Sequence, residues 1–251
     1  MIVSVINLTT GKLTDEAIQS AIRAVNRQVS QDFVPYWGFG GQLRLEGKSN
    51  RKRSNATSDM RGDAVLYLCN EVGNSGVDGY HDKTYRGIPY GAVYLELAEL
   101  LNEAWTVTLS HEALELIGDP EANLLVQGPH PKFPKRSVFH WFEMCDAVQD
   151  EQYELDGIAV SNFVLPLYFT SSTEHGGRND FLGTTVAGKN LRSFGVNPGG
   201  YIGFFDPHTA KDGNYEQPDD ARAALRLRIK KRLKIGRGVL RKLRTGGKPK
   251  R

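Results

Sequence analysis

The chain of 251 residues is 24% charged and 39% hydrophobic, the composition of a globular domain of ordinary size with an appendage. No run of eighteen apolar residues occurs, which excludes a membrane-spanning helix from the expectation. Two cysteines, Cys69 and Cys145, are too few for a disulfide framework, and the opening MIVSVINLTTGKL lacks the basic segment of a secretory signal peptide.

The net charge of +3 averages two unlike parts. Residues 221–251 carry fourteen Lys/Arg and no acid, so the first 220 residues hold the other 18 basic side chains against all 29 acidic ones, a net of −11. Residues 1–215 are therefore read as one body, and 216–251 as a linker and basic tail.

In TDEAIQSAIRAVNRQVSQDFV, Ile18, Ile22, Val25, Val29 and Phe33 recur at spacings of three and four, which predicts one amphipathic helix over 14–34. Thr14 suits its N-cap, Asp15 and Glu16 its first turn, and Pro35 its end. Residues 42–46 alternate as a half-buried strand, and 47–62 are polar and basic, a loop. The continuously apolar 64–69 predicts a central strand. A loop holding Gly73, Gly76, Gly79, Tyr80, His81 and Asp82 comes next, with His81 read as fixing that loop ahead of the alternative that it binds substrate or the acids around a metal. Residues 88–95 then predict a third strand, whose proline favours an edge.

A second helix is predicted over 105–117, stopped by Gly118-Asp119-Pro120. Beyond it the chain is loop-rich, with short apolar runs at 138–142, 163–169 and 201–205. This order of elements indicates an α+β fold.

The second helix carries the sharpest feature, Ser110-His111-Glu112-Ala113-Leu114-Glu115-Leu116-Ile117-Gly118. His111, Glu115 and Gly118 share one face; Leu109, Ala113, Leu116 and Pro120 form the opposite, core-facing one. A His and a Glu one turn apart have Cβ atoms about 5–6 Å apart, close enough to hold one metal ion. Glu112 projects beside them. With six His and fourteen Glu in the chain, HExxE is expected by chance about 0.02 times.

Over about residues 14–170 the chain resembles the zincin metallopeptidases: an opening helix, strands, an edge strand, then a helix with a variant of the HExxH motif. Glu115 stands where that family has histidine, and Glu121 where metzincins have a third ligand. The resemblance implies a small mixed sheet packed on the two helices, with an edge strand able to take an extended peptide or protein substrate. It further implies His111 and Glu115 as metal ligands and Glu112 as the base acting on a metal-bound water. Zinc is the implied ion, with manganese and iron left open because a carboxylate replaces an imidazole.

Glutamate-type zincins take their third ligand from a later helix in a Glu-x-x-x-Asp pattern. Glu143 and Asp146 lie one residue closer than that. Glu143 ranks first, Asp119 or Asp146 next, and His140 or Glu121 last. Cys145 reads as packing. Tyr153 and Tyr168 are candidate oxyanion donors, with nothing to select between them.

In the tail, Leu225, Ile229 and Leu233 suit a short cationic helix, which Gly236 and Gly238 break. Contact with nucleic acid or another polyanion, without sequence recognition, leads over membrane-surface binding and over a purely solubilising role. The sequence thus predicts a metal-dependent peptidase, cytoplasmic or virion-associated. The alternative is a non-enzymatic structural protein, phage- or virion-type, that keeps a zincin-like body and holds nucleic acid through its tail.

Overall fold

The computed structural model describes residues 1–46, 62–70, 79–84, 86–170, 172, 177–217, 221 and 224. The chain opens on a strand that its apolar N-terminus did not suggest, β1 (Ile2–Asn7), with Val3 and Val5 wholly buried. Helix α1 (Asp15–Arg27) follows. The Thr14 hydroxyl accepts the Ala17 N–H at 3.2 Å as its N-cap, and Ile18, Ile22 and Val25 are buried along the expected stripe.

Pro35 does not end this helical stretch. A π-helical turn (Gln28–Phe33) leads into α2 (Val34–Trp37), and Pro35 sits in the first turn of α2. A proline is tolerated there because the first-turn N–H groups are not needed for intrahelical bonds. Gly38, at φ +74°, supplies the left-handed stop.

Strands β2 (Gln42–Leu45), β3 (Ala64–Cys69), β4 (Gly79–Lys83) and β5 (Pro89–Tyr94) complete a sheet of order β2-β1-β3-β5-β4. All neighbours are parallel except β4, which runs antiparallel to β5. The expected edge position of 88–95 is thus corrected: β5 is internal, and the edge is β4, in the stretch read as a loop. Pro89 is the first residue of β5, where a missing N–H costs the ladder least.

Helices α3 (Leu95–Leu101) and α4 (Trp105–Gly118) come next. A second sheet has the order β13-β12-β7-β6, all antiparallel. It comprises β6 (Leu125–Pro129), β7 (Ser137–Trp141), β12 (Tyr201–Asp206) and β13 (Lys211–Glu216). Between them lie two hairpins, β8 (Gln152–Leu155) with β9 (Ile158–Ser161), and β10 (Thr185–Val186) with β11 (Lys189–Asn190). The apolar runs at 138–142 and 201–205 are β7 and β12. The run at 163–169 is core without being strand, with Phe163, Leu165 and Tyr168 buried. The architecture is α+β.

Helix α4 is enclosed by β4 and β5 on one side and by β9 on another. Eleven of its fourteen residues are buried, so the face carrying Glu112 and Glu115 is enclosed as well as the expected core-facing one. Its hydroxyl residues tie it to β9. Thr106 Oγ1 donates to the Ala159 carbonyl at 2.7 Å. Ser110 Oγ accepts the Ser161 N–H at 2.6 Å and donates to the Val107 carbonyl. Ser110→Ala strands the buried Ser161 N–H, and should lower unfolding free energy in urea by about 1–3 kcal/mol.

No helix among the described residues is long and apolar enough to cross a membrane. The loop expected at 47–62 lies outside the described residues apart from Gly62. So do Gly73, Gly76, the acids at 219 and 220, and all of the tail except 221 and 224.

Candidate metal centre

Three parts of the fold deliver side chains to one buried point. Helix α4 brings His111, Glu112 and Glu115, and β4 brings His81. The segment after β7 brings Glu143 and, at the start of a 3₁₀ turn (Asp146–Val148), Asp146. That segment is held in place from two sides. The Cys145 N–H donates to Glu115 Oε1 at 3.0 Å, and the Val164 N–H donates to the Met144 carbonyl at 2.8 Å.

His111 Nε2 lies 3.3 Å from Glu115 Oε1 and 3.4 Å from Asp146 Oδ1. Ligands about 2.1 Å from a tetrahedral zinc sit roughly 3.4 Å from each other, so these separations match the edges of one coordination polyhedron. His81 faces the same carboxylates from the other side. Its Nδ1 is 3.7 Å from Glu115 Oε2 and 3.8 Å from Glu112 Oε2, and its Nε2 is 3.7 Å from Glu143 Oε2. Two groups of three, His111–Glu115–Asp146 and His81–Glu115–Glu143, each have donor atoms within 4.8 Å of one another.

The electrostatics follow from burial. Desolvation pushes the Glu112 and Glu115 carboxyls up, and the two histidines offset this only in part. Burial alone would lower the histidines, but the facing carboxylates outweigh it. Glu143, Glu112 and Glu115 hold His81 at about 9, and Glu115 and Asp146 hold His111 well above its ordinary value. Glu112 Oε2 is buried and has no hydrogen-bond partner among the described residues. An orphaned carboxylate oxygen in such a position is costly without a cation or a water.

The sequence placed His111, Glu112 and Glu115 together, and they converge here. Of the candidates for a third ligand, Asp146 shares the His111 side, whereas Glu143 lies opposite His81. Both come from a loop and a 3₁₀ turn, not from the later helix the resemblance implied; the chain leaves β7 at Trp141 and turns before a helix can start.

The remaining candidates are engaged elsewhere. Asp119 Oδ2 accepts the Leu124 N–H at 2.8 Å and caps the turn after α4. His140 Nε2 bonds the Pro129 carbonyl, with its ring on Phe194. Glu121 is exposed and paired with Lys83. Tyr153 donates to Asp32 and Tyr168 to the Gly195 carbonyl, which leaves neither hydroxyl free for an oxyanion. Burial pushes the Cys145 thiol well up, which suits packing and not nucleophilic attack.

His81 is the member that sequence reasoning assigned to a loop. Its signal was weak: one histidine thirty residues before the motif, in GYHDK, just ahead of an apolar strand.

A pH dependence follows from the raised pKa of His111. The facing carboxylates favour a proton on this imidazole in the metal-free fold, and a cation bound there would have to displace it. Apparent affinity for a divalent cation should therefore rise with pH through the neutral range, by up to about tenfold per unit for this ligand, with up to one proton released. Titration calorimetry in buffers of different ionisation enthalpy measures both.

The chain matches no protein-family model, no curated protein and no solved structure.

Proposed function

We propose that the chain is a metal-dependent hydrolase of the peptidase class, zincin-like in its use of a histidine and a glutamate one turn apart. His111, Glu115 and Asp146 hold a divalent cation, and Glu112 is the general base. The observation that carries this reading is the pair of 3.3 and 3.4 Å separations around His111 Nε2. The buried Oε2 of Glu112, which has no hydrogen-bond partner among the described residues, faces His81 Nδ1 at 3.8 Å.

When bound, the cation supplies Lewis acidity toward a carbonyl and makes water nucleophilic near neutral pH. Glu112 would be the group that accepts a proton at Oε2 from the attacking water and returns it to the leaving amine. Burial keeps the carboxylate basic enough for both transfers. Glu115 is held in position by the Cys145 N–H and Asp146 by the 3₁₀ turn, so neither needs to move to bind.

Strand β4 adds a substrate-binding element. Among the described residues no strand pairs with its outer edge, and an extended peptide is suited to add there. One imidazole with two carboxylates admits zinc first, and manganese or iron as harder alternatives.

The test is metal content by mass spectrometry on the purified full chain, wild type beside His111→Ala, followed by a screen of peptide substrates. Near-stoichiometric metal lost in the variant is the expected result. No metal in either protein after reloading would overturn the proposal and favour a structural role that uses the basic tail.

A further inference from the structure

We propose that the cluster holds two divalent cations and not one, with Glu115 as the bridging carboxylate. This rests on the metal-dependent reading above and extends it. Glu115 turns its two oxygens to two different histidines: Oε1 lies 3.3 Å from His111 Nε2, and Oε2 lies 3.7 Å from His81 Nδ1.

Each half then has its own second acid. Asp146 Oδ1 stands 3.4 Å from His111 Nε2. Glu143 Oε2 stands 3.7 Å from His81 Nε2, the other ring nitrogen from the one facing Glu115. With one donor atom each, His81, Glu115 and Glu143 lie within 4.8 Å of one another. Both halves are complete three-donor groups, and Glu115 is their common member. A carboxylate spanning two ions about 3.5–4 Å apart is the arrangement of two-metal hydrolases, aminopeptidases among them.

Charge and burial point the same way. Glu112, Glu115, Glu143 and Asp146 place four formal negative charges in one pocket. Three of the four side chains are no more than 7% exposed, and Glu143 is 14% exposed. Two divalent cations with neutral histidines bring these four carboxylates to neutrality, whereas one cation beside a His81 imidazolium leaves one negative charge away from water. Independently, Glu112 Oε2 is buried, lacks a hydrogen-bond partner among the described residues, and points into the His81 half at 3.8 Å.

The competing arrangement is one cation on the His111 half, with His81 present as an imidazolium that donates to the acids around it. The two differ in stoichiometry. Full-length protein is stripped with a chelator, reloaded with Mn²⁺, and desalted. Metal per chain is counted by mass spectrometry, and the spins are read by electron paramagnetic resonance. The expected result is two Mn²⁺ per wild-type chain with the signature of an exchange-coupled pair.

His81→Ala and Glu143→Gln should each retain one uncoupled ion on His111, Glu115 and Asp146. Glu143→Gln keeps the side-chain volume and so serves if His81→Ala fails to fold. One ion per wild-type chain, unchanged in both variants, would overturn the two-metal centre and leave the single-metal hydrolase standing. No ion in the wild type would overturn both.

Discussion

Glu112→Gln is expected to lower kcat for peptide hydrolysis by about 10²–10⁴-fold, the range for losing a general base, with metal content unchanged. The substitution keeps the shape of the side chain and removes only its capacity to take a proton. Glu112 lies next to His111 in sequence but faces His81, and its Oε2 has no hydrogen-bond partner among the described residues. The amide should therefore fit without disturbing the His111–Glu115–Asp146 group. Stability should stay level or rise, because a buried ionisable group is exchanged for a neutral one. Burial raises the Glu112 pKa in the metal-free chain and a bound cation would offset that rise, so wild-type kcat should fall on the acid side as this carboxyl protonates. The variant should lack that limb. Steady-state kinetics across pH, with metal analysis of the same samples, decides the matter: full activity in Glu112→Gln would remove this residue from the base role.

The parts of this site that were legible in the sequence are those written on one element. Helix α1 announced itself through Thr14 and the stripe from Ile18 to Phe33, β3 through an unbroken apolar run, and α4 through its His-Glu-x-x-Glu spacing. What could not be read depends on neighbours far along the chain. Strand β4 has no alternating apolar pattern, because one of its inward positions is His81, buried against carboxylates instead of aliphatic side chains. Without β4 in view, the proline of β5 suggested an edge that its partner in fact covers.

The burial of α4 was hidden for a related reason. Thr106 and Ser110 look solvent-compatible in a helical wheel, yet both hydroxyls are spent on backbone groups of the β8–β9 hairpin. Glu143 and Asp146 were both noticed, but their division between His81 and His111 is set by the turn after Trp141, which helical spacing could not supply.

Glu115→Ala should abolish metal binding altogether, and its contrast with Glu115→Gln separates coordination from packing. Glu115 is the one residue common to both three-donor groups, so its loss removes a ligand from each. Losing even a residue that merely supports a ligand costs about 10–100-fold in affinity, and removal of the shared ligand should exceed that. His81→Ala, by comparison, touches only one group. The alanine variant also strands the buried Cys145 N–H, which now donates to Oε1 at 3.0 Å, and should cost about 1–3 kcal/mol on that account. Glutamine keeps the volume and an oxygen for Cys145 but gives up the second anionic oxygen. It should therefore fold nearly as stably as the metal-free wild type while binding metal far more weakly. It also relieves the mutual repulsion of Glu115, Asp146 and Glu143 in the metal-free chain. Urea unfolding of the stripped proteins, set beside metal titration of the same three, measures both terms. Wild-type metal content in Glu115→Ala would mean that this carboxylate serves only to dock the loop after β7 onto α4.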